Sequence, residues 1–201
     1  IKANGYGHGM LHLAKEADAV GIRDFGVARV QEGIELREAG FLQRILVFEA
    51  AQASDIRRAL EAGLALTVAT PSMLEQIETA ARAAETRATL HVKIDTGMGR
   101  LGLPPDHGAT LAMAVARSRW ATLEGIYSHF ATSEDPDPAF AQDQLRRFLD
   151  ALEHLQRDGV TVPLRHMANS GAIISMPGAY LDMVRPGIML YGYPPRRGMD
   201  E

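Results

Sequence analysis

Cysteine is absent from the 201 residues. Disulfide staples and thiolate metal sites are therefore excluded, no metal is expected, and the composition fits the reducing cytoplasm. Long apolar runs are missing as well. No stretch approaches the ~18 residues that a membrane-spanning helix needs. There is no surplus of positive charge. The formal net charge is −4, which leaves no basic footprint for a nucleic acid. No fixed-period repeat of the solenoid kind is present. A starting methionine is lacking too. Ile1 already stands inside a motif, so the natural start is expected upstream, and silence about a leader segment carries no information.

What is present is a two-beat rhythm. Strand-like runs fall at Phe25–Ala28, Ile45–Phe48, Leu66–Ala69, Leu90–Ile94, Leu123–Tyr127, Arg165–Ala168 and Leu181–Val184. They are short, apolar and bounded by turn residues, as strands buried on both faces are. The stretches between them predict helices over about 8–19, 30–39, 53–62, 71–84, 106–117, 138–157 and 170–176. Ile56, Ala59 and Leu60 share one helical face, with Arg57, Arg58 and Glu61 outside. Thr70 precedes Pro71 as an N-cap precedes a first-turn proline. Gly40, Gly63 and Gly159 stand where left-handed helix caps belong. Ser133–Pro138 is the clearest loop. With a strand stub at Ile1, eight strands alternate with helices. Alternation implies a parallel α/β sheet, and eight units imply a (β/α)8 TIM barrel with a truncated first strand. An open doubly wound sheet is the alternative.

In a barrel the chemistry gathers at the C-terminal ends of the strands. There the chain places Lys2, Lys93 through Gly102, Ser128-His129-Phe130, His166 with Asn169-Ser170, and Arg185-Pro186-Gly187-Ile188. Each has an ordinary structural reading. Lys2 can be a solvated charge, Lys93 a rim lysine reaching for water, His129 a bonded core histidine, Asn169-Ser170 a helix cap, and Arg185 half of an ion pair. The chemical readings fit one another. Asn169 and Ser170, with the amides of Gly187 and Ile188, suit a phosphate, and Tyr6 can reach it from the first loop. Lys2 in a glycine-rich loop can bind an aldehyde, and Arg185 can lie against a ring. A phosphate, an aldehyde and a ring nitrogen together imply pyridoxal 5'-phosphate.

The motifs Lys2-Ala-Asn-Gly-Tyr-Gly-His-Gly9, Lys93-Ile-Asp-Thr-Gly-Met-Gly-Arg-Leu-Gly102, Ser128-His-Phe-Ala131, His166-Met-Ala-Asn-Ser170 and Arg185-Pro-Gly-Ile188 occur in this order. In that order the chain resembles the N-terminal barrel of alanine racemase, among the fold-type III pyridoxal-phosphate enzymes. The resemblance implies an isomerase that interconverts L- and D-alanine by two-base proton transfer and supplies D-alanine for the peptidoglycan cell wall. Lys2 would hold the cofactor and then move a proton at the substrate's α-carbon. Tyr6, Asn169, Ser170, Gly187 and Ile188 would surround the phosphate. Arg185 would face the pyridine nitrogen, with His129 beside it and His166 supporting it. Arg100 would meet the substrate carboxylate. Lys93 would carry a carbamate (N6-carboxylysine) that orients Arg100. The family often has alanine where Gly5 stands, a departure expected to leave the chemistry alone.

The resemblance also implies a cytoplasmic homodimer, with the second proton-transfer group, a tyrosine, on a C-terminal β-domain of the partner. Residues 1–192 then read as the barrel and 193–201 as the start of a linker to that domain, which this chain does not contain. The chain alone is expected to be neither an active racemase nor a comfortably stable domain. Two other readings remain. One is a stand-alone barrel that binds pyridoxal phosphate and manages its supply. The other is a related racemase for serine, lysine or a broad range of amino acids, or a decarboxylase on the same barrel.

Overall fold

The computed structural model describes residues 1–199. Six strands, β1 (Asp24–Val27), β2 (Arg44–Ala50), β3 (Ala65–Val68), β4 (Ala88–Lys93), β5 (Ala121–Tyr127) and β6 (Leu164–His166), hydrogen-bond in chain order in one sheet. The helices between them are α2 (Met10–Ala19), α3 (Val30–Glu38), α4 (Ala53–Glu61), α5 (Pro71–Ala83), α6 (Pro105–Arg117), α7 (Ala139–Arg157) and α8 (Ser170–Ser175). Each predicted helix is found within two residues of its expected ends. Thr70 caps α5 by accepting from the Met73 amide at 3.1 Å, ahead of Pro71. Gly40, Gly63 and Gly159 adopt φ of 90°, 60° and 74°, as left-handed caps require. No helix among the described residues is long and apolar enough to cross a membrane.

The chain divides into two compact units, Ile1–His91 with Ser118–Thr122, and Val92–Arg117 with the residues from Leu123 onward. In the first, β1 and β2 pair in parallel with Phe25 opposite Ile45, and Val27, Ile45, Val47, Leu66, Val68 and Leu90 are wholly buried. Every residue of β3 is buried, which is why its sequence is an unbroken run without alternation. In the second, β5 pairs with β6, Tyr127 lying opposite His166. Phe130, Phe148, Leu155 and Met167 fill its core.

Two expected strands are not strands. Ile1 donates to the Gly26 carbonyl of β1 at 2.9 Å, one ladder-like bond, but Ala3 and Asn4 then turn left-handed and extended pairing stops. Residues 2–6 instead form a helical turn, α1 (Lys2–Tyr6). Leu181–Val184 is the second. Only Met183 bridges, to His166. Leu181 has a φ of 51°, which breaks the extended path. The Asp182 amide donates to the Arg165 carbonyl at 3.1 Å and the Arg185 amide to the Ala168 carbonyl at 2.9 Å, but the Arg165 amide is taken by the Asp182 carboxylate at 2.8 Å, which also pairs with the Arg165 guanidinium at 2.6 and 3.0 Å. Of the expected linker 193–201, the last two residues lie outside the described residues.

Candidate active site

Lys2 opens α1, whose residues Ala3, Asn4, Gly5 and Tyr6 all have φ between 51° and 61°. This is a turn of left-handed helix. It is closed by amide bonds from Gly5 to the Ile1 carbonyl at 2.8 Å and from Gly7 to the Ala3 carbonyl at 3.1 Å. L-residues pay roughly 1–2 kcal/mol each for that hand, so three non-glycine residues store on the order of 3 kcal/mol. The turn brings side chains four apart together, and the Lys2 Nζ lies 4.9 Å from the centroid of the Tyr6 ring. A Cβ at Gly5 would meet Leu13 Cδ1 at 2.3 Å, so alanine there needs Leu13 to move. Lys2 is half-buried, and Tyr6 is exposed.

In the second unit, β4 ends on Lys93 and returns through residues 95–102 to a bridge between Ile94 and Leu103. Asp95 folds this loop. Its carboxylate accepts from the amides of Gly97, Met98 and Gly99 at 2.8–3.2 Å. Burial works to raise its pKa, but these bonds and the Lys93 charge win and hold it below the usual value. Gly102 is required where the loop closes. A Cβ there would stand 2.8 Å from the Asp95 nitrogen. Arg100 is carried exposed on this loop.

Lys93 is 4 % exposed. Its Nζ donates to the Ile94 carbonyl at 3.0 Å and lies 5.2 Å from the centroid of the Tyr127 ring. Burial, then the nearby Arg185 charge, lower its pKa to about 7, so a large part of the amine is neutral near pH 7.

Arg185 is the most heavily committed side chain. Nη1 lies 2.6 Å from Nδ1 of His166. Nη2 donates to the carbonyls of Ser128 at 2.7 Å and Met167 at 3.1 Å and lies 3.4 Å from Nδ1 of His129. His166 stacks flat on Tyr127, ring centroids 4.8 Å apart. Desolvation lowers the Arg185 pKa to about 10, so the group stays cationic at neutral pH. With these acceptors on Nη1 and Nη2, the Nε–H remains for a further acceptor.

Asn169 caps α8, its Oδ1 accepting from the Ala172 amide at 3.0 Å and from the Ser133 hydroxyl at 2.8 Å. The Ser170 Oγ accepts from the amides of Gly187 at 2.8 Å and Met189 at 3.4 Å. Two accepted bonds use the hydroxyl's lone pairs and direct its one proton elsewhere. Ile188 begins a 3-10 turn, Ile188–Tyr191, and is exposed.

The expected groups thus fall into two sets. Lys2 and Tyr6 meet in the first unit. Lys93, His129, His166 and Arg185 meet in the second, where Ser170 and Gly187 also meet. A sequence model of the alanine racemase N-terminal domain matches residues 1–195. The chain belongs to the alanine racemase N-terminal domain family. It is 43 % identical over 202 residues to an alanine racemase of Desulforamulus reducens, covering all of this chain and 55 % of that protein. It is 44 % identical over 199 residues to an alanine racemase of Chlorobaculum tepidum, covering 97 % of this chain and 51 % of that one. The solved alanine racemase of Clostridium difficile 630 superposes with a TM-score of 0.95 at 32 % identity, covering 98 % of this chain and 52 % of that one. The same enzyme solved in complex with cycloserine gives 0.96. The expected fold class therefore holds, and the chain spans about half the length of the curated relatives it matches.

Motif reading missed several members of this racemase-family domain. Gln144 of α7 is wholly buried. Its Oε1 accepts from the Ala131 amide at 2.9 Å, and its Nε2 donates to the His129 carbonyl at 3.2 Å and to the Thr96 hydroxyl at 3.4 Å. Thr96 in turn bonds Ser128 at 2.9 Å. Tyr127, the ring flanked by Lys93 and Arg185, and Glu32, which bonds the Lys2 turn, were missed as well. Only Gln144 left a trace in the sequence, as a polar residue on the buried face of an amphipathic helix.

Proposed function

We propose that this chain is the cofactor-binding part of an enzyme that interconverts L- and D-alanine with pyridoxal 5'-phosphate. The observation that carries the reading is Arg185, a half-buried cation that stays charged and whose Nε–H has no acceptor among the described residues. Such a group can donate a hydrogen bond to a pyridine nitrogen but cannot give up its proton near neutral pH. The bound cofactor would supply an electron-withdrawing ring that acidifies the α-C–H of an attached amino acid.

The residues fit that group. The Ser170 proton is the phosphate donor, with Gly187, whose amide is bonded to the Ser170 Oγ here, and Ile188, Asn169 and Tyr6 assigned to the same role. Lys2 would hold the cofactor at its aldehyde end and would hold or deliver a proton at one face of the substrate α-carbon. His166 orients Arg185, and His129 lies against it. Arg100, free of the loop's internal bonding, takes the substrate carboxylate. Lys93 is suited to carbamate formation: its neutral amine adds carbon dioxide and loses one proton, leaving an anion among the Arg185 and Arg100 charges. The opposite face of the α-carbon requires a second group, assigned to a tyrosine of the partner subunit in a cytoplasmic homodimer. Residues 1–192 would be the barrel, and 193 onward the link to the remaining domain. D-alanine for peptidoglycan would be the product's use.

The test uses the complete gene product with pyridoxal 5'-phosphate. L-alanine should lose its optical activity, and Lys2→Ala should abolish both this and the cofactor's long-wavelength absorbance. Unchanged L-alanine overturns the assignment. Racemisation of serine or lysine in preference to alanine moves it to a related racemase. Tight cofactor binding without racemisation of any amino acid favours the stand-alone binding barrel. Intact-mass measurement should show Lys93 heavier by one carbon dioxide.

A further inference from the structure

We propose that Glu32 is a positioning residue for Lys2: its carboxylate grips the Ala3 amide and holds the left-handed turn on which the Lys2 amine is mounted. The proposal rests on the reading of Lys2 as the cofactor-binding amine. Glu32 is the third residue of α3. Its Oε2 accepts from the amides of Ala28 at 2.7 Å and Arg29 at 3.1 Å, which completes the helix start. That cap needs only one oxygen. The other, Oε1, accepts from the Ala3 amide at 2.6 Å, 29 residues away in sequence. An oxygen that a capping glutamate normally leaves to water is thus spent on the residue next to Lys2.

The turn needs such a grip. Ala3 is the first residue with positive φ, where the chain leaves the extended path beside β1. Returning Ala3 to that path would swing its amide away from Glu32. A charge-assisted bond to a carboxylate already anchored by two amides opposes that swing. In the middle of the turn, Asn4 Oδ1 accepts from the Met10 amide at 2.9 Å and ties it to the start of α2. Side-chain acceptors therefore hold two successive residues of the turn, and the pairing of Lys2 with the Tyr6 ring follows from its pitch. Loss of the Glu32 grip frees the turn to relax toward right-handed or extended backbone, and Lys2 and Tyr6 part.

The experiment compares Glu32→Ala, Glu32→Gln and Thr70→Ala in the complete gene product. Thr70→Ala removes a cap in the same unit, far in sequence from Lys2, and serves as the control for lost stability. The first readout is amide hydrogen exchange of residues 3–7 in cofactor-free protein. It should quicken by about tenfold or more in Glu32→Ala and stay near wild type in Thr70→Ala. The second is the dissociation constant for pyridoxal 5'-phosphate, expected to rise by about 10–100-fold in Glu32→Ala and by less than about twofold in Thr70→Ala. Glu32→Gln keeps one acceptor oxygen but turns an NH2 toward one set of donors, so it should fall between. It also carries the test if Glu32→Ala fails to fold. Wild-type exchange in both Glu32 variants, or equal loosening in Thr70→Ala, overturns the proposal. If the wild type binds no pyridoxal phosphate, the reading of Lys2 fails, while the exchange comparison still decides whether Glu32 holds the turn.

Discussion

Around Lys2 the backbone carries the strain. Consecutive residues with positive φ hold an exposed tyrosine and a half-buried lysine together, and a few acceptor side chains keep the turn closed. Around Arg185 the backbone is ordinary and the side chains do the fixing. Two carbonyls, two imidazoles and a stacked tyrosine surround one half-buried guanidinium. The first arrangement is local, so one glycine-rich stretch encodes most of it. The second draws on β5, β6 and the segment after them, so it exists only once the chain has folded. Rigidity at a site can come from conformational strain or from convergent hydrogen bonding, and this domain uses one in each unit.

The contrast predicts unequal costs. Arg185→Met should be the most damaging change. It strips His166 and two carbonyls of their donor, and polar groups left without a partner cost about 1–3 kcal/mol each. Thermal or urea unfolding measures it, and a loss below about 1 kcal/mol would break the comparison. Lys93→Met should come next, with opposite sign. The folded amine titrates at about 7 rather than 10.5, so between these values the unfolded chain binds more protons and stability rises with pH. Below pH 7 the uncarbamylated protein carries the full cost of the buried cation. Lys93→Met should therefore be stabilising at low pH by a few kcal/mol, fading toward pH 10.5, as unfolding across that range would record. A carbamate on Lys93 would flatten this difference in carbon dioxide and restore it in its absence. Gln144→Leu should cost roughly 1–3 kcal/mol by removing the acceptor of the Ala131 amide and a donor to the His129 carbonyl. Gly5→Ala should have the smallest effect, near 1 kcal/mol, since Leu13 can rotate away from the new methyl. If it cost as much as Arg185→Met, the Lys2 turn would be as densely held as the Arg185 cluster.

The helices were legible because their signals are local. Thr70-Pro71 announces a start, and Gly40, Gly63 and Gly159 announce stops. β3 and β4 were legible because burial on both faces leaves a nearly continuous apolar run, and the other strands by their short apolar centres between turn residues. Leu181–Val184 looked the same, yet Asp182 spends its carboxylate on Arg165 and Leu181 turns left-handed. Neither event has a signature in four residues of sequence. The motif residues could be named, and the family resemblance implied that His129 and His166 attend Arg185. That Lys93 and Arg185 both lie against the Tyr127 ring, or that Ser170 accepts from Gly187, depends on loops from separate strands arriving together. Glu32 and Gln144 act across tens of residues, and a glutamate in a first helical turn or a glutamine on a helix face looks the same with or without a distant partner.

By itself the sequence determined the β/α alternation, the family and the residue types available for chemistry, because helix periodicity, turn glycines and ordered motifs are properties of neighbours along the chain. Only the tertiary structure decided that the Lys93 pKa is pushed down to about 7, that Arg185 is held by neutral acceptors, and that the Lys2 turn is left-handed and gripped by Glu32. Those outcomes follow from desolvation, from the direction of hydrogen bonds and from strain opposed by distant contacts, none of which exists until the chain is packed.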